Sequence, residues 1–128
     1  NVMPEVYKTL EMWGTRVNNN HFGFDGIQIG EMAQFTQYSQ NHHYDWHTDT
    51  ACNMKHQPTV RKITMITMLS DPKDFKGGEL QIIDDKQKIS LKQGYAIFFA
   101  SFIVHRSLPV KKGIKISMPI WFSGPPLK

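Results

Sequence analysis

The sequence predicts a mainly β protein, a two-sheet antiparallel sandwich or barrel fronted by one helix. Helical periodicity occurs only near the start, a series of short strand-like runs follows, and turn signals separate those runs too closely for intervening helices. Residues 3–19 predict the helix: Pro4 suits a first helical position, and Val6, Leu10, Trp13 and Val17 recur at helical spacing as its buried stripe. The run Asn18-Asn19-Asn20 is expected to end it. Residues 32–38 and 43–49 alternate aromatic and polar side chains, and 61–69 carries Ile63, Thr64, Ile66 and Thr67, which favour strand. Asp71-Pro72 and Lys76-Gly77-Gly78 are turn signals before a strand at 79–83; Asp84-Asp85 turns the chain into 89–91. Gly94 precedes the apolar run 95–100, and a last strand at 113–122 runs out toward Gly124-Pro125-Pro126. In that strand Ile116, Met118, Ile120 and Phe122 share one face, suited to packing. Lys115, Ser117 and Trp121 share the other, suited to a site.

The bulk numbers are those of one globular domain, residues 1–128, with 40% hydrophobic and 12% aromatic residues to build a core. No apolar run has membrane-spanning length and nothing at the front has the pattern of a signal peptide. Asn1 in place of Met leads us to expect a truncated or processed N-terminus. The single cysteine, Cys52, excludes an internal disulfide and fits a reducing cytoplasm, the expected location. A net charge of +4 mildly favours an anionic partner, but the basic residues are scattered and a solvated surface explains them equally well.

Chemistry concentrates at His47-Thr48-Asp49. On a strand, residues two apart point to the same side, so an imidazole and a carboxylate converge. His105, after the apolar run 95–100, is placed to supply a third ligand. Two histidines and one carboxylate cap one face of an octahedral ion and leave positions open, the donor set of non-haem iron(II) oxygenases. His43-Tyr44-Asp45 is a second H-x-D of the same strand parity, and alternation alone does not separate the two. His21, His42 and His56 stand in no motif and read as surface or loop residues, and Cys52 lacks a catalytic context. Ten residues after His105 comes Lys115, a cation suited to a dicarboxylate, with Ser117 beside it to add a hydrogen bond.

From Gln34 onward the chain resembles the prolyl 4-hydroxylase-like branch of the iron(II)- and 2-oxoglutarate-dependent dioxygenases. The resemblance rests on Tyr44-Asp45-Trp46-His47-Thr48-Asp49, on Leu69-Ser70-Asp71-Pro72 leading to Gly77-Gly78-Glu79-Leu80, on His105-Arg106-Ser107-Leu108-Pro109-Val110, and on Lys115, Ser117 and Trp121. It implies a double-stranded β-helix, a cupin-like jelly-roll barrel with the metal at its mouth and the N-terminal helix on an outer sheet face. It implies His47, Asp49 and His105 as Fe(II) ligands, in preference to His43 and Asp45, and Lys115 as the partner of the distal carboxylate of 2-oxoglutarate. Tyr38, Thr64 and Trp121 match residues near the cosubstrate in the family, although a core tyrosine, a cross-strand threonine and a core tryptophan would read the same way.

The implied reaction decarboxylates 2-oxoglutarate to succinate and CO₂ while hydroxylating a C–H bond, with O₂ as cosubstrate and ascorbate as reductant. The expected substrate is a peptidyl proline in a peptide or protein, clamped by loops such as 50–58; a small-molecule substrate stays open, and no membrane partner is expected. Nucleic-acid demethylase-type dioxygenases are the runner-up. They typically carry a second arginine on the last strand, where residues 116–122 hold no basic residue. A non-catalytic cupin-like metal-binding protein is the third reading, and a carboxylate anchor such as Lys115 is what it would not need.

Overall fold

The computed structural model describes residues 4–50, 59–83 and 85–125. Helix α1 (Pro4–Val17) does not stop at the asparagines. It runs on through a π-helical turn, Asn18–Phe22, closed by Gly23 in the left-handed region with its N–H on the Asn18 carbonyl. Asn18 itself is buried and staples the following chain: its side-chain amide donates to the Phe24 carbonyl at 2.7 Å and accepts from the Phe24 N–H at 2.8 Å. A side chain that satisfies backbone groups beyond the helix end replaces the expected break.

The buried stripe of α1 also differs from the expectation. Leu10 and Val17 face inward, but Val6 and Trp13 are 46% and 45% exposed, and Tyr7 and Gly14 take their places. The cause is Gly14: a Cβ there would lie 2.2 Å from the Phe122 ring, so only glycine lets the helix approach the sheet this closely.

Among the described residues eleven strands follow. They are β1 (Gln28–Ile29), β2 (Thr36–Tyr38), β3 (Tyr44–His47), β4 (Val60–Met68), β5 (Phe75–Gly77), β6 (Leu80–Ile82), β7 (Asp85–Ile89), β8 (Ala96–Ala100), β9 (His105–Ser107), β10 (Val110–Gly113) and β11 (Lys115–Gly124). β4, β8 and β11 begin and end within two residues of where β-branched alternation and apolar runs placed them. The expected strands at 32–38, 43–49 and 79–83 are shorter, and the one at 89–91 lies earlier, at Asp85–Ile89. β1, β5, β9 and β10 had no sequence signal of their own.

All pairings are antiparallel. The larger sheet runs β1-β11-β4-β8, with β2 also on β11; a smaller sheet runs β3-β9-β6-β7, and β10 and β5 form a ribbon. The protein is thus a mainly β double-stranded β-helix carrying an N-terminal helix, as expected. The apolar core lies between α1 and the outer face of the larger sheet, with Ile63, Met65, Ile120 and Phe122 at its centre and Leu10, Phe98 and Met118 packed on it. Alternation along β11 and β4 therefore leaves the opposite face of the same sheet to line a cavity between the two sheets. No helix among the described residues is long and apolar enough to cross a membrane.

Candidate active site

The cavity is about 530 Å³. His47, the last residue of β3, pairs directly across the smaller sheet with His105, the first residue of β9. Their rings lie 4.3 Å apart. Asp49 stands just beyond β3 in a bend rather than on the strand, its N–H donating to the Ser101 carbonyl at 2.9 Å. The bend brings Oδ1 to 3.2 Å from Nε2 of His47 and 3.4 Å from Nε2 of His105. The ligand atoms of the three residues all lie within 4.8 Å of one another.

Each imidazole is held by its other nitrogen: Nδ1 of His47 lies 2.7 Å from the Asp45 carbonyl and Nδ1 of His105 lies 2.9 Å from that of Ile103. A carbonyl only accepts, so each Nδ1 carries a proton and each Nε2 is the nitrogen offered to a ligand. Asp49 is shaped by opposing effects. Burial pushes its carboxyl up, but hydrogen bonds from His105 and Thr64, the charge of His105 and the Trp121 indole outweigh this and hold it at about 2. Burial pushes His105 down, and the bond and charge of Asp49 with the Ile103 carbonyl outweigh that, leaving it above its usual value. Two imidazole nitrogens and one ionised carboxylate, preoriented and converging, fit a divalent transition metal such as Fe(II). His43 belongs to neither this group nor the cavity: it is exposed, with Nδ1 3.2 Å from the Asn41 carbonyl, and Asp45 is exposed too.

Lys115 opens β11 on the cavity side and is 6% exposed. Burial pulls its ammonium down to about 8, against a partial lift from Glu79. Its Nζ donates to the Gly78 carbonyl and the Ser107 hydroxyl, both at 2.8 Å, and stands 4.4 Å from the centre of the Tyr38 ring. An ammonium has three N–H bonds, and the described residues take two. Gly78 owes its place to its φ of +69° and to the closeness of Lys115 Cδ, 3.2 Å from where a Cβ would be. Tyr38 lies opposite Lys115 in the β2–β11 register; burial raises its hydroxyl, against a partial lowering by Ser107.

Ser117, Thr64 and Trp121 line the cavity, and the last two have their donors on Asp49 Oδ2, at 2.7 Å from Thr64 Oγ1 and 3.1 Å from Trp121 Nε1. Sequence reasoning passed over Ser107, Ser101 and Arg61. Ser107 has strand parity with His105, a signal that was available. Arg61 stacks on the Trp121 indole at 3.7 Å, pairs with Glu31 through two nitrogens and reaches the Asp49 carbonyl at 3.5 Å. The loop expected to clamp a peptide falls largely at 51–58, outside the described residues, as do Cys52 and His56.

Residues 33–123 match the family model of the 2OG-Fe(II) oxygenase superfamily, and the chain belongs to that family. A PKHD-type hydroxylase of Xylella fastidiosa (strain M12) is 33% identical over 97 residues, covering 69% of this chain and 42% of its own length. A PKHD-type hydroxylase of Shewanella frigidimarina is 30% identical over 92 residues, 68% of this chain and 41% of its own. The chain thus spans about two fifths of the length of these curated relatives. Among solved structures, the viral collagen prolyl hydroxylase of Paramecium Bursaria Chlorella virus-1, in complex with 2OG, superposes with a TM-score of 0.78 at 26% identity. That match covers 97% of this chain and 74% of the viral one. A Pseudomonas putida prolyl-4-hydroxylase shares the fold, with a TM-score of 0.66 at 20% identity over 91% of this chain and 64% of that one.

Proposed function

We propose that this chain is the catalytic barrel of an Fe(II)- and 2-oxoglutarate-dependent hydroxylase acting on a peptidyl proline. One observation carries the reading: a single cavity holds both the His47-Asp49-His105 donor set and a buried lysine with a proton to give. A barrel that only stored metal would have no use for burying Lys115 beside it. The family match supports the cofactors, and the printed names of the viral and bacterial relatives support the proline.

In this reading Nε2 of His47, Nε2 of His105 and Oδ1 of Asp49 hold Fe(II), which when bound supplies the O₂ activation and oxidative decarboxylation that protein side chains lack. Lys115 gives its remaining N–H to the distal carboxylate of 2-oxoglutarate, with Tyr38 and Ser107 fixing the ammonium and Ser117 lining the same wall. The anchor sets the far end of the cosubstrate, so that its keto-acid end points toward the donor set. The cavity volume leaves room for a substrate side chain, and the exposed Tyr44 ring, 4.0 Å from His47, flanks the approach. The chain would thus orient both substrates and exclude water.

The test is anaerobic titration of Fe(II) and 2-oxoglutarate into metal-free protein, followed in the visible charge-transfer absorption of a chelated keto acid. Aerobic incubation with proline-containing peptides then reads succinate release and hydroxylated product by mass spectrometry. Charge-transfer absorption with peptide-dependent succinate is expected. Folded, iron-loaded protein that gave neither would overturn the reading.

A further inference from the structure

We propose that Thr64 and Trp121 are positioning residues that decide which oxygen of Asp49 faces the metal, and that Ser101 sets the Thr64 hydroxyl for this task. The inference rests on the reading of His47, Asp49 and His105 as metal ligands. It replaces the expectation that Thr64 and Trp121 bind the cosubstrate.

Each polar atom around Asp49 has a fixed number of protons to give. An ionised carboxylate only accepts, and an indole N–H only donates, so Trp121 gives its one proton to Asp49 Oδ2. Thr64 Oγ1, 2.7 Å from the same oxygen, must give its single hydroxyl proton there too. Ser101 Oγ lies 2.9 Å from Thr64 Oγ1; since Thr64 has no second proton, Ser101 is the donor in that pair. Ser101 is fully buried and Thr64 is 1% exposed, so no solvent competes. The chain of donation therefore has one direction, from Ser101 to Thr64 to Asp49.

Two consequences follow. Neither Thr64 nor Trp121 keeps a proton for a 2-oxoglutarate carboxylate, and the one lone pair Thr64 has left would repel it. Both donors also sit on Oδ2, whereas Oδ1 faces the two histidine nitrogens. A carboxylate pinned in this way presents one oxygen only and keeps the coordination position that a second oxygen would take. The fold prepares the clamp: Trp121 and Thr64 are directly paired across β11 and β4, and the Ser101 carbonyl receives the Asp49 N–H.

The experiment compares wild type with Thr64→Val, Thr64→Ser and Trp121→Phe. Fe(II) affinity is read by anaerobic calorimetry, and 2-oxoglutarate affinity is read separately at saturating Fe(II) from charge-transfer absorption. Circular dichroism and thermal melting confirm folding. Thr64→Val and Trp121→Phe are each expected to weaken Fe(II) binding about 10–100-fold, the usual effect of losing a partner of a metal ligand. Cosubstrate affinity at saturating metal stays near the wild-type value, and Thr64→Ser, which restores the hydroxyl, recovers Fe(II) binding. Fe(II) affinity unchanged in Thr64→Val and Trp121→Phe overturns the proposal, and a selective loss of 2-oxoglutarate affinity would return both residues to the cosubstrate. Failure of wild type itself to bind Fe(II) would instead bring down the metal reading beneath it. If Thr64→Val does not fold, Thr64→Ser against Trp121→Phe still decides: equal Fe(II) affinities in both and in wild type refute the clamp.

Discussion

Replacing Lys115 with methionine separates what the lysine does for the fold from what it does for the ligand, because the two effects have opposite sign. The drop of the ammonium from 10.5 to about 8 means that the folded chain holds a charge it would rather lose. At ~1.4 kcal/mol per pH unit the gap amounts to about 3 kcal/mol against the folded state near neutral pH. Lys115 is only 6% exposed, so solvent screens little of this. Methionine removes the cost but leaves the Gly78 carbonyl and Ser107 hydroxyl without their donor, at about 1 kcal/mol each. Lys115→Met is therefore expected to stabilise the ligand-free protein by about 1 kcal/mol, read as a rise of roughly 3–6 °C in Tm.

Cosubstrate binding moves the other way. A dicarboxylate that loses its buried cation forfeits about 3–5 kcal/mol, so 2-oxoglutarate affinity at saturating Fe(II) should fall by roughly two to three and a half orders of magnitude. The pH dependence checks the same assignment. The folded pKa is depressed, so the unfolded chain binds the extra proton, and the cost is present in full below about 8 and relieved as pH rises toward 10.5. The stability of wild type relative to Lys115→Met should rise across that window, while wild-type affinity for 2-oxoglutarate falls as the ammonium deprotonates. A variant that melts below wild type and binds 2-oxoglutarate equally well would refute the anchor and the burial argument together.

The choice between the two H-x-D motifs is decided by His47→Ala beside His43→Ala: Fe(II) binding measured by calorimetry should be lost in the first and kept in the second. Acidification should weaken Fe(II) binding, because His105 is raised above 6.5 in the metal-free protein and its Nε2 must give up a proton to bind. The same raised value gives the metal-free fold stability that is present in full below 6.5 and lost as pH climbs through the folded value. The rise in Tm on adding Fe(II) should therefore grow with pH, most clearly against a His105→Ala control. Gly14→Ala should destabilise by about 1–3 kcal/mol despite the better helix propensity of alanine, because its Cβ would enter the Phe122 ring; a chemical denaturation curve with an unchanged or raised midpoint would contradict the packing.

What the chain declares in its sequence and what it withholds divide along physical lines. β11 was legible because period-two alternation over its ten residues separates Met118, Ile120 and Phe122 from Lys115, Ser117 and Trp121, and no register but one buries the first set. The pair His47 and Asp49 was legible because the two are local to each other, and Lys115 follows His105 by ten residues, past β9 and β10 to the start of β11. The stripe of α1 misled because periodicity counts apolar residues and cannot value an absent side chain; Val6 and Trp13 fit the pattern, but the helix turns to bring Gly14 onto Phe122. Asn18 misled because its effect depends on what its amide meets four residues beyond the break it was expected to make. The clamp on Asp49 was hidden most deeply, since Ser101 stands 37 positions from Thr64 and Trp121 stands 72 from Asp49. Neither short-range pattern nor residue type distinguishes a core threonine or tryptophan from one whose only side-chain proton points at Asp49, or a core serine from one that donates to that threonine. Motif reading thus finds the atoms that would touch iron, whereas the atoms that aim them emerge only when every buried hydrogen is assigned a destination.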